Sequence, residues 1–330
     1  MSNKIIEIGN AKARAGEIVE GSIEVTKHAG GNDLLIPFTI INGINDGPCF
    51  WINGGIHGDE PEGVLTCSIL RKKIDPKNLS GSLVLMPVMN IPAMEAASRG
   101  NPLDTFSYDM NRIYPGKENG YLSERIAHEH KKWLTKTADI EISIHSGGSH
   151  SYLSETIFAT QDTNAQELAR AMGEAWDLSL YAIRPSGSPM TVMAELGKPA
   201  ITVELGGRSS TAPGAFQKVG DTLSDAALNI MKHYKMIEGQ AKYASKRYKG
   251  HQQALLAPNS GVFLPANNVK FHNLMKKGDL IAKIIDYKGN EISSLYAPED
   301  GMIFGLRALP NVTTGDWCCF YAIIEGTWDD

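Results

Sequence analysis

The sequence predicts an α/β fold: a mixed, mainly parallel sheet flanked by helices, with a small C-terminal all-β domain. Strand-like and helix-like segments alternate from about residue 30 to residue 237, the pattern of a sheet covered on both faces. From about residue 252 the helical period disappears, leaving short alternating runs separated by Gly, Pro, Asn and Asp. The division is placed at 1–245 for the larger domain, with a β-rich lead-in over 1–45, and 246–330 for the smaller. A chain of 330 residues is long enough for both.

Each element has its own signal. GEIVEGSIEVT, LLIPFTIING and PCFWINGGIHGDE alternate as strands do, and the intervening HAGGND and GINDGP are turn chemistry. The third strand runs through a glycine-rich turn into GVLTCSILRKKI, whose apolar residues recur at helical spacing. Pro61 and Glu62 open that helix, since proline is tolerated in a first turn and an acid suits the positive helix end. GSLVLMPVMN is a strand ending at NIPAM, a loop signal. EAASRGNPLDTFSYDMNRIYPGKENG is long, polar and without period, which marks a functional loop. YLSERIAHEHKKWLTKT is a helix, ADIEISIHSGG and ETIFAT are strands, and AQELARAMGEAW is an amphipathic helix. AITVELGG is a strand ending in paired glycines, DTLSDAALNIMKHYKMI a helix, and EGQAKYASKRYKGHQQ reads as basic and helical. GVFLP, DLIAKIID, GMIFGLRA and WCCFYAIIEG are the closing β runs.

Composition excludes several classes. Hydrophobic residues make up 42%, charged residues 21%, and the net charge is −5, all ordinary for a soluble globular chain. That balance provides no basic stripe to displace counterions from phosphates, so nucleic acid is not an expected partner, and KYASKRYKGH reads as a solvated helix or linker. The N-terminus lacks a signal-peptide run, and no stretch of about 18 apolar residues exists to span a membrane. Cys49, Cys67, Cys318 and Cys319 have no CxxC spacing and read as buried free thiols in a cytoplasmic protein. Cys318 and Cys319, adjacent in a strand, are expected to face opposite sides. Trp51, Trp133 and Trp176 read as packing residues. His128 and His130, two apart, do not share a helical face and so do not form a second metal site.

Chemistry concentrates at three strand ends, where an open parallel sheet gathers its ligands: His57 with Glu60 in GGIHGDEPEG, His145 in SIHSGG, and Glu204 in VELGG. Each is bracketed by glycines, which permit sharp turns and close approach. His57 and Glu60, three apart, place an imidazole and a carboxylate on one side of a turn, and His145, 88 positions later, adds a second imidazole from a neighbouring strand. Two His and one Glu are a ligand set for catalytic zinc, with room left for water, whose pKa zinc lowers to about 7. One zinc ion per chain is expected, although a His/Glu site also accepts cobalt or manganese. Asp59 and Glu62 compete with Glu60 as ligands, at offsets from His57 that suit a shared ion less well. Glu204 suits the general base that takes the water proton and returns it to the leaving amine; its plainer alternative is an ion-paired or capping carboxylate.

GGIHGDEPEG, SYDMNRIYPG, SIHSGG and TVELGG, in that order, resemble the succinylglutamate desuccinylase/aspartoacylase family of the zinc carboxypeptidase superfamily. The likeness extends over most of the chain, from IPFTIING and GPCFWINGG to YAPEDGMIFG in the terminal β segment. It implies a zinc-carboxypeptidase-like fold, His57, Glu60 and His145 as zinc ligands, and Glu204 as general base and acid. It further implies that Asn111 and Arg112 grip the substrate carboxylate, which a guanidinium fork does through two charge-assisted bonds. An earlier arginine of the same loop, here Arg99, then polarises the scissile carbonyl, with a solvated loop charge as its alternative. The β domain is expected to narrow the site mouth, and related enzymes often self-associate. The family often carries an acid two positions before the third ligand; here that position is Ser143, and Asp139 at the strand start is the other acid considered for outer support.

The expected reaction is hydrolysis of the amide bond of a small N-acyl amino acid or related amide. The nearer rival is a zinc metallocarboxypeptidase acting on peptides, which the same residues would serve. A metal-binding scaffold without catalysis is the third reading, and an intact base at Glu204 weighs against it.

Overall fold

The computed structural model describes residues 5–181, 187–208 and 212–328. Among these, twelve strands hydrogen-bond into one continuous sheet, four form a second sheet, and Ile6–Ile8 with Ala11–Ala13 make a short hairpin.

The expected mainly parallel sheet is corrected by the pairing. The longest unbroken run of parallel neighbours is the four central strands Ser80–Met86, Asn45–Asn53, Ile140–His145 and Ala200–Gly207. Outside Ser80–Met86 the sheet continues antiparallel through Asp33–Asn42 and Ile18–Lys27. Outside Ala200–Gly207, strand Ser151–Ala159 runs antiparallel and is followed by Leu178–Leu180 and Tyr248–Leu256, both joined in parallel. Trp317–Thr327 and Gly301–Arg307 continue antiparallel, and Gly301–Arg307 turns back to pair with Ser151–Ala159. Five strands therefore close on themselves as a small barrel at one end of an otherwise open sheet. Closure removes the exposed edge that an open sheet would leave there.

The parallel strands carry nearly continuous apolar sequence because both of their faces are covered. Successive side chains of Asn45–Asn53 alternate between two cores: Phe50 and Ile52 pack on one face with Leu70, Leu168 and Ile230, whereas Cys49 and Trp51 pack on the other with Ile126, Leu134 and Met193. Helices Glu62–Lys73, Thr163–Arg170 and Ala215–His233 thus cover the first face, and Leu122–Thr137 and Pro189–Ala194 the second. Each fully buried Ile or Leu contributes about 1.5–3 kcal/mol. None of the described helices is long and apolar enough to cross a membrane.

Three local expectations are corrected. NIPAM is a short helix, Ile91–Glu95, because Asn90 caps it by accepting from Ala93 N at 3.3 Å and Pro92 lies in its first turn. The basic stretch after residue 237 is not helical; its second half is strand Tyr248–Leu256, held between Leu178–Leu180 and Trp317–Thr327. Cys318 and Cys319 do not separate to opposite sides: both are free and buried in one apolar cluster, where the register slips between Leu255 and Leu256.

Candidate metal centre and active site

The turn after Asn45–Asn53 is shaped by contact with the short helix Ile91–Glu95. A Cβ at Gly58 would lie 1.9 Å from the Ala93 carbonyl carbon, so only glycine lets the backbone pass, and Gly58 N donates to Ser98 O at 3.0 Å. This fixes His57 and Glu60 over the end of the parallel strands. His145 ends the adjacent strand, and Glu204 lies level with it one strand further on.

The three side chains named as ligands meet. His57 Nδ1 is 2.8 Å from Glu60 Oε1, His145 Nδ1 is 2.9 Å from Glu60 Oε2, and the two Nδ1 atoms are 3.2 Å apart. All three residues are buried, with 2%, 4% and 2% exposure for His57, Glu60 and His145. The opposite ring nitrogens face acceptors: His57 Nε2 lies 3.2 Å from Asp109 Oδ1, and His145 Nε2 lies 3.4 Å from Ser143 Oγ. These partners favour the proton on Nε2 of both rings, which turns both Nδ1 lone pairs inward beside the Glu60 carboxylate. Three potential ligand atoms converging on one buried point is an arrangement that a divalent cation satisfies, and two His with one carboxylate is a donor set that zinc accepts. The residues present therefore fit the metal.

Electrostatics agree with that geometry. Burial works against ionisation of Glu60, but the two imidazoles outweigh it and hold the carboxyl well below the usual range. Burial likewise works against a charged His57, yet Glu60 and Asp109 raise its proton affinity, while at His145 burial prevails and lowers it. Glu204 goes the other way. Burial first, and the charge of Glu60 second, push its carboxyl well above the ordinary value, with Arg99 and Arg112 opposing. Its Oε2 is inaccessible and, among the described residues, has no hydrogen-bond partner, although the side chain borders the cavity.

Arg99 donates through Nε and Nη2 to Asp109 Oδ2, at 3.2 and 3.0 Å, and its Nη1 lies 3.7 Å from Glu60 Oε1. Arg112 is exposed and donates through Nη1 to the Asn111 carbonyl at 2.7 Å. Both belong, with Asn111, to the wall of a cavity of about 670 Å³ that also takes in His57, Glu60, His145 and Glu204. The two other acids of the first motif turn away from the ligand cluster: Asp59 accepts from Ser149 N and Oγ at 2.9 and 2.6 Å, and Glu62 accepts from Gly207 N at 2.8 Å. They brace the loops around the site.

Asp139 is corrected. Its carboxylate accepts from Cys49 N at 2.8 Å, at the start of the strand and roughly 20 Å from His145 at about 3.3 Å per residue. The carboxylate beside a candidate ligand is instead Asp109, whose burial is outweighed by His57 and Arg99, so its proton affinity is far below normal. Asp109 stands two residues before Asn111 in SYDMNR, and that polar spacing was the available signal. Sequence reasoning also missed Phe158, Gln252, Phe304, Trp317 and Phe320 on the cavity wall, because each looks like ordinary strand composition.

Known proteins resemble this chain over most of its length. N-α-acetyl-L-2,4-diaminobutyric acid deacetylase of Halomonas elongata is 25% identical over 301 residues, covering 86% of this chain and 84% of that protein. The product-bound structure of the ectoine utilization protein EutE (DoeB) from Ruegeria pomeroyi superposes with a TM-score of 0.81 at 22% identity, covering 98% and 100% of the two chains. A succinylglutamate desuccinylase from Silicibacter sp. TM1040 gives a TM-score of 0.80, again at 22% identity and with the same coverage. At these identities the structures establish the shared α/β fold. The model of the succinylglutamate desuccinylase/aspartoacylase catalytic domain matches residues 46–233, which contain the whole ligand cluster and Glu204, and the chain belongs to that family.

Proposed function

We propose that this protein is a zinc-dependent amidohydrolase that deacylates a small N-acyl amino acid or a related amide. The observation that carries the reading is the convergence of His57 Nδ1, Glu60 and His145 Nδ1 on one buried point, beside a cavity that also receives Glu204, Arg99 and Arg112. Family membership supports amide hydrolysis, and the relative from Halomonas elongata bears a deacetylase name.

A zinc ion held by these side chains supplies Lewis-acid polarisation and lowers the pKa of water at the site. The remaining work falls to the chain. Glu204, a buried carboxylate at the cavity wall whose surroundings raise its proton affinity, suits a group that in its ionised form takes a proton from water and then delivers it to the departing nitrogen. Arg99, held in place by Asp109, offers positive charge to the oxyanion. Asn111 and Arg112 provide the carboxylate clamp. Residues 1–245 are read as the catalytic domain and 246–330 as a β domain shaping the mouth, which the presence of Gln252, Phe304, Trp317 and Phe320 on the cavity wall supports. A cytoplasmic setting fits four free, buried thiols.

The test combines metal quantification with a panel of N-acyl amino acids and dipeptides. The wild-type chain is expected to carry one zinc and to turn over acyl amino acids. His57→Ala and His145→Ala are expected to lose both metal and turnover. Retention of both properties in either variant removes the site assignment, and turnover of dipeptides alone moves the enzyme to the peptidase reading.

A further inference from the structure

We propose that the acyl group this enzyme removes is apolar, an aryl or medium-length alkyl chain, and that it is recognised at the mouth of the closed barrel; the proposal rests on the deacylase reading. The sheet arranges the site in a fixed order. The loop bearing Arg99, Asn111 and Arg112 follows strand Ser80–Met86; next come Asn45–Asn53 leading to His57 and Glu60, Ile140–His145, and Ala200–Gly207 with Glu204. Beyond Glu204 lies the barrel. An N-acyl amino acid has the same linear order: carboxylate, α-carbon, nitrogen, carbonyl, acyl chain. With its carboxylate at Arg112 and its carbonyl at the ligand cluster, the acyl chain points to the barrel.

The barrel interior is filled by Leu178, Leu180, Met302 and Ala322, and the layer above them, Leu153, Phe158, Phe304 and Phe320, also lines the cavity. The aromatic rings form a chain of contacts: Phe158 meets Phe304 edge-on at 6.1 Å, Phe304 stacks with Phe320 at 5.9 Å, and Phe320 stacks with Trp317 at 4.3 Å. Trp317 and Phe320 are three apart in a strand and would ordinarily face opposite sides; the register slip opposite Leu255 and Leu256 brings them to one face. Gly305 gives this layer its space, since a Cβ there would lie 2.2 Å from Leu153 Cδ2 and 3.0 Å from Phe320 Cδ2.

Among the described residues, the barrel strands bring no charged side chain to the cavity wall; Gln252 and Ser151 are their polar contributions. The nearby Arg307 turns its guanidinium onto the Asn311 carbonyl and the Asp316 carboxylate, at 3.0 and 3.3 Å. A succinyl carboxylate would therefore meet aromatic faces with no cationic side chain from the barrel strands to pair with, whereas an alkyl or aryl group gains burial there. Hydrolysis breaks the acyl C–N bond, adds water oxygen to the acyl carbon and a proton to nitrogen, and releases an apolar carboxylic acid and a free amino acid.

The experiment compares kcat/KM of the zinc-loaded full chain on N-acetyl-, N-succinyl-, N-hexanoyl- and N-benzoyl-alanine. Hexanoyl and benzoyl substrates are expected to exceed acetyl and succinyl by at least about tenfold, the scale of a filled apolar pocket. Trp317→Ala is expected to shrink that ratio about tenfold, mainly through KM. Calorimetry on the wild type provides a readout independent of turnover: benzoate and hexanoate should bind more tightly than acetate and succinate. Equal or better handling of acetyl or succinyl, in turnover or in binding, overturns the proposal while leaving the deacylase reading in place. Failure to hydrolyse any of the four overturns that reading and the proposal with it.

Discussion

Asp109 Oδ1 lies 3.2 Å from His57 Nε2, and the other oxygen of the same carboxylate accepts two bonds from Arg99. One side chain thus orients the His57 imidazole and holds an arginine at the cavity wall. Asp109 Oδ1 also accepts from Asn111 N at 3.1 Å, so the Asn111–Arg112 pair is tied to the same carboxylate.

Asp109→Ala removes the group that orients His57 and leaves Arg99 without its main anchor. Loss of such an outer partner typically costs 10–100-fold in metal affinity. Zinc competition titration should show a loss of that size, together with lower turnover because Arg99 is released. Unchanged zinc affinity would mean that His57 is oriented by packing alone.

Glu204→Gln retains shape and burial but cannot accept a proton from water. The variant should keep its zinc, measured by elemental analysis, while kcat falls by at least the roughly hundredfold that general acid–base catalysis contributes. Near-normal kcat would move the base to another residue and leave the unpartnered Oε2 of Glu204 as a local packing feature.

Arg112 is exposed and bonded only to a neighbouring carbonyl among the contacts described, so little structural cost attends its removal. Arg112→Ala should raise KM for carboxylate-bearing substrates about tenfold or more, the worth of a hydrogen bond to a charged group. Arg112→Lys should recover part of the loss, since a point charge replaces a two-pronged fork. A KM that ignores both substitutions places carboxylate recognition elsewhere.

The meeting of His57, Glu60 and His145 was legible because chemistry at the ends of parallel strands leaves local marks: His57, His145 and Glu204 each sit between an apolar run and glycines. Asp109 was not, because the loop from Glu95 to Gly120 has no period and its partners lie 10 and 52 positions away. Barrel closure was equally hidden. It depends on Ser151–Ala159 pairing with Gly301–Arg307, and nothing in either strand announces a partner so distant. Residues 238–253 show the same limit from the other side. Their Lys, Ala and Gln favour a helix, yet two long-range ladders draw the second half into a strand.

Beneath the site, a chain of neutral groups links the substrate loop to the sheet. Tyr114 Oη donates to His130 Nδ1 at 2.9 Å, His130 Nε2 donates to Asn53 Oδ1 at 3.2 Å, and Asn53 Nδ2 donates to Glu141 Oε1 at 2.9 Å. Burial pushes the His130 imidazole down to about 3 and the Glu141 carboxyl up to about 8, with Asn53 opposing the latter. Glu141 is therefore protonated in the native state at neutral pH, whereas in the unfolded chain it ionises near 4.5. Between those two values unfolding releases a proton, so this group makes the native state less stable as pH rises, and the loss is complete above the folded value. At about 1.4 kcal/mol per pKa unit, the window is worth on the order of 5 kcal/mol. Glu141→Gln keeps a neutral side chain of similar shape and cannot ionise in either state. Its stability relative to wild type, from urea unfolding at pH 5 and pH 8, should rise across that interval by a few kcal/mol, since the other titrating groups are common to both proteins. A difference that stays constant with pH would show that Glu141 is ionised in the folded protein, and that the chain from Tyr114 to Glu141 carries a charge at its end.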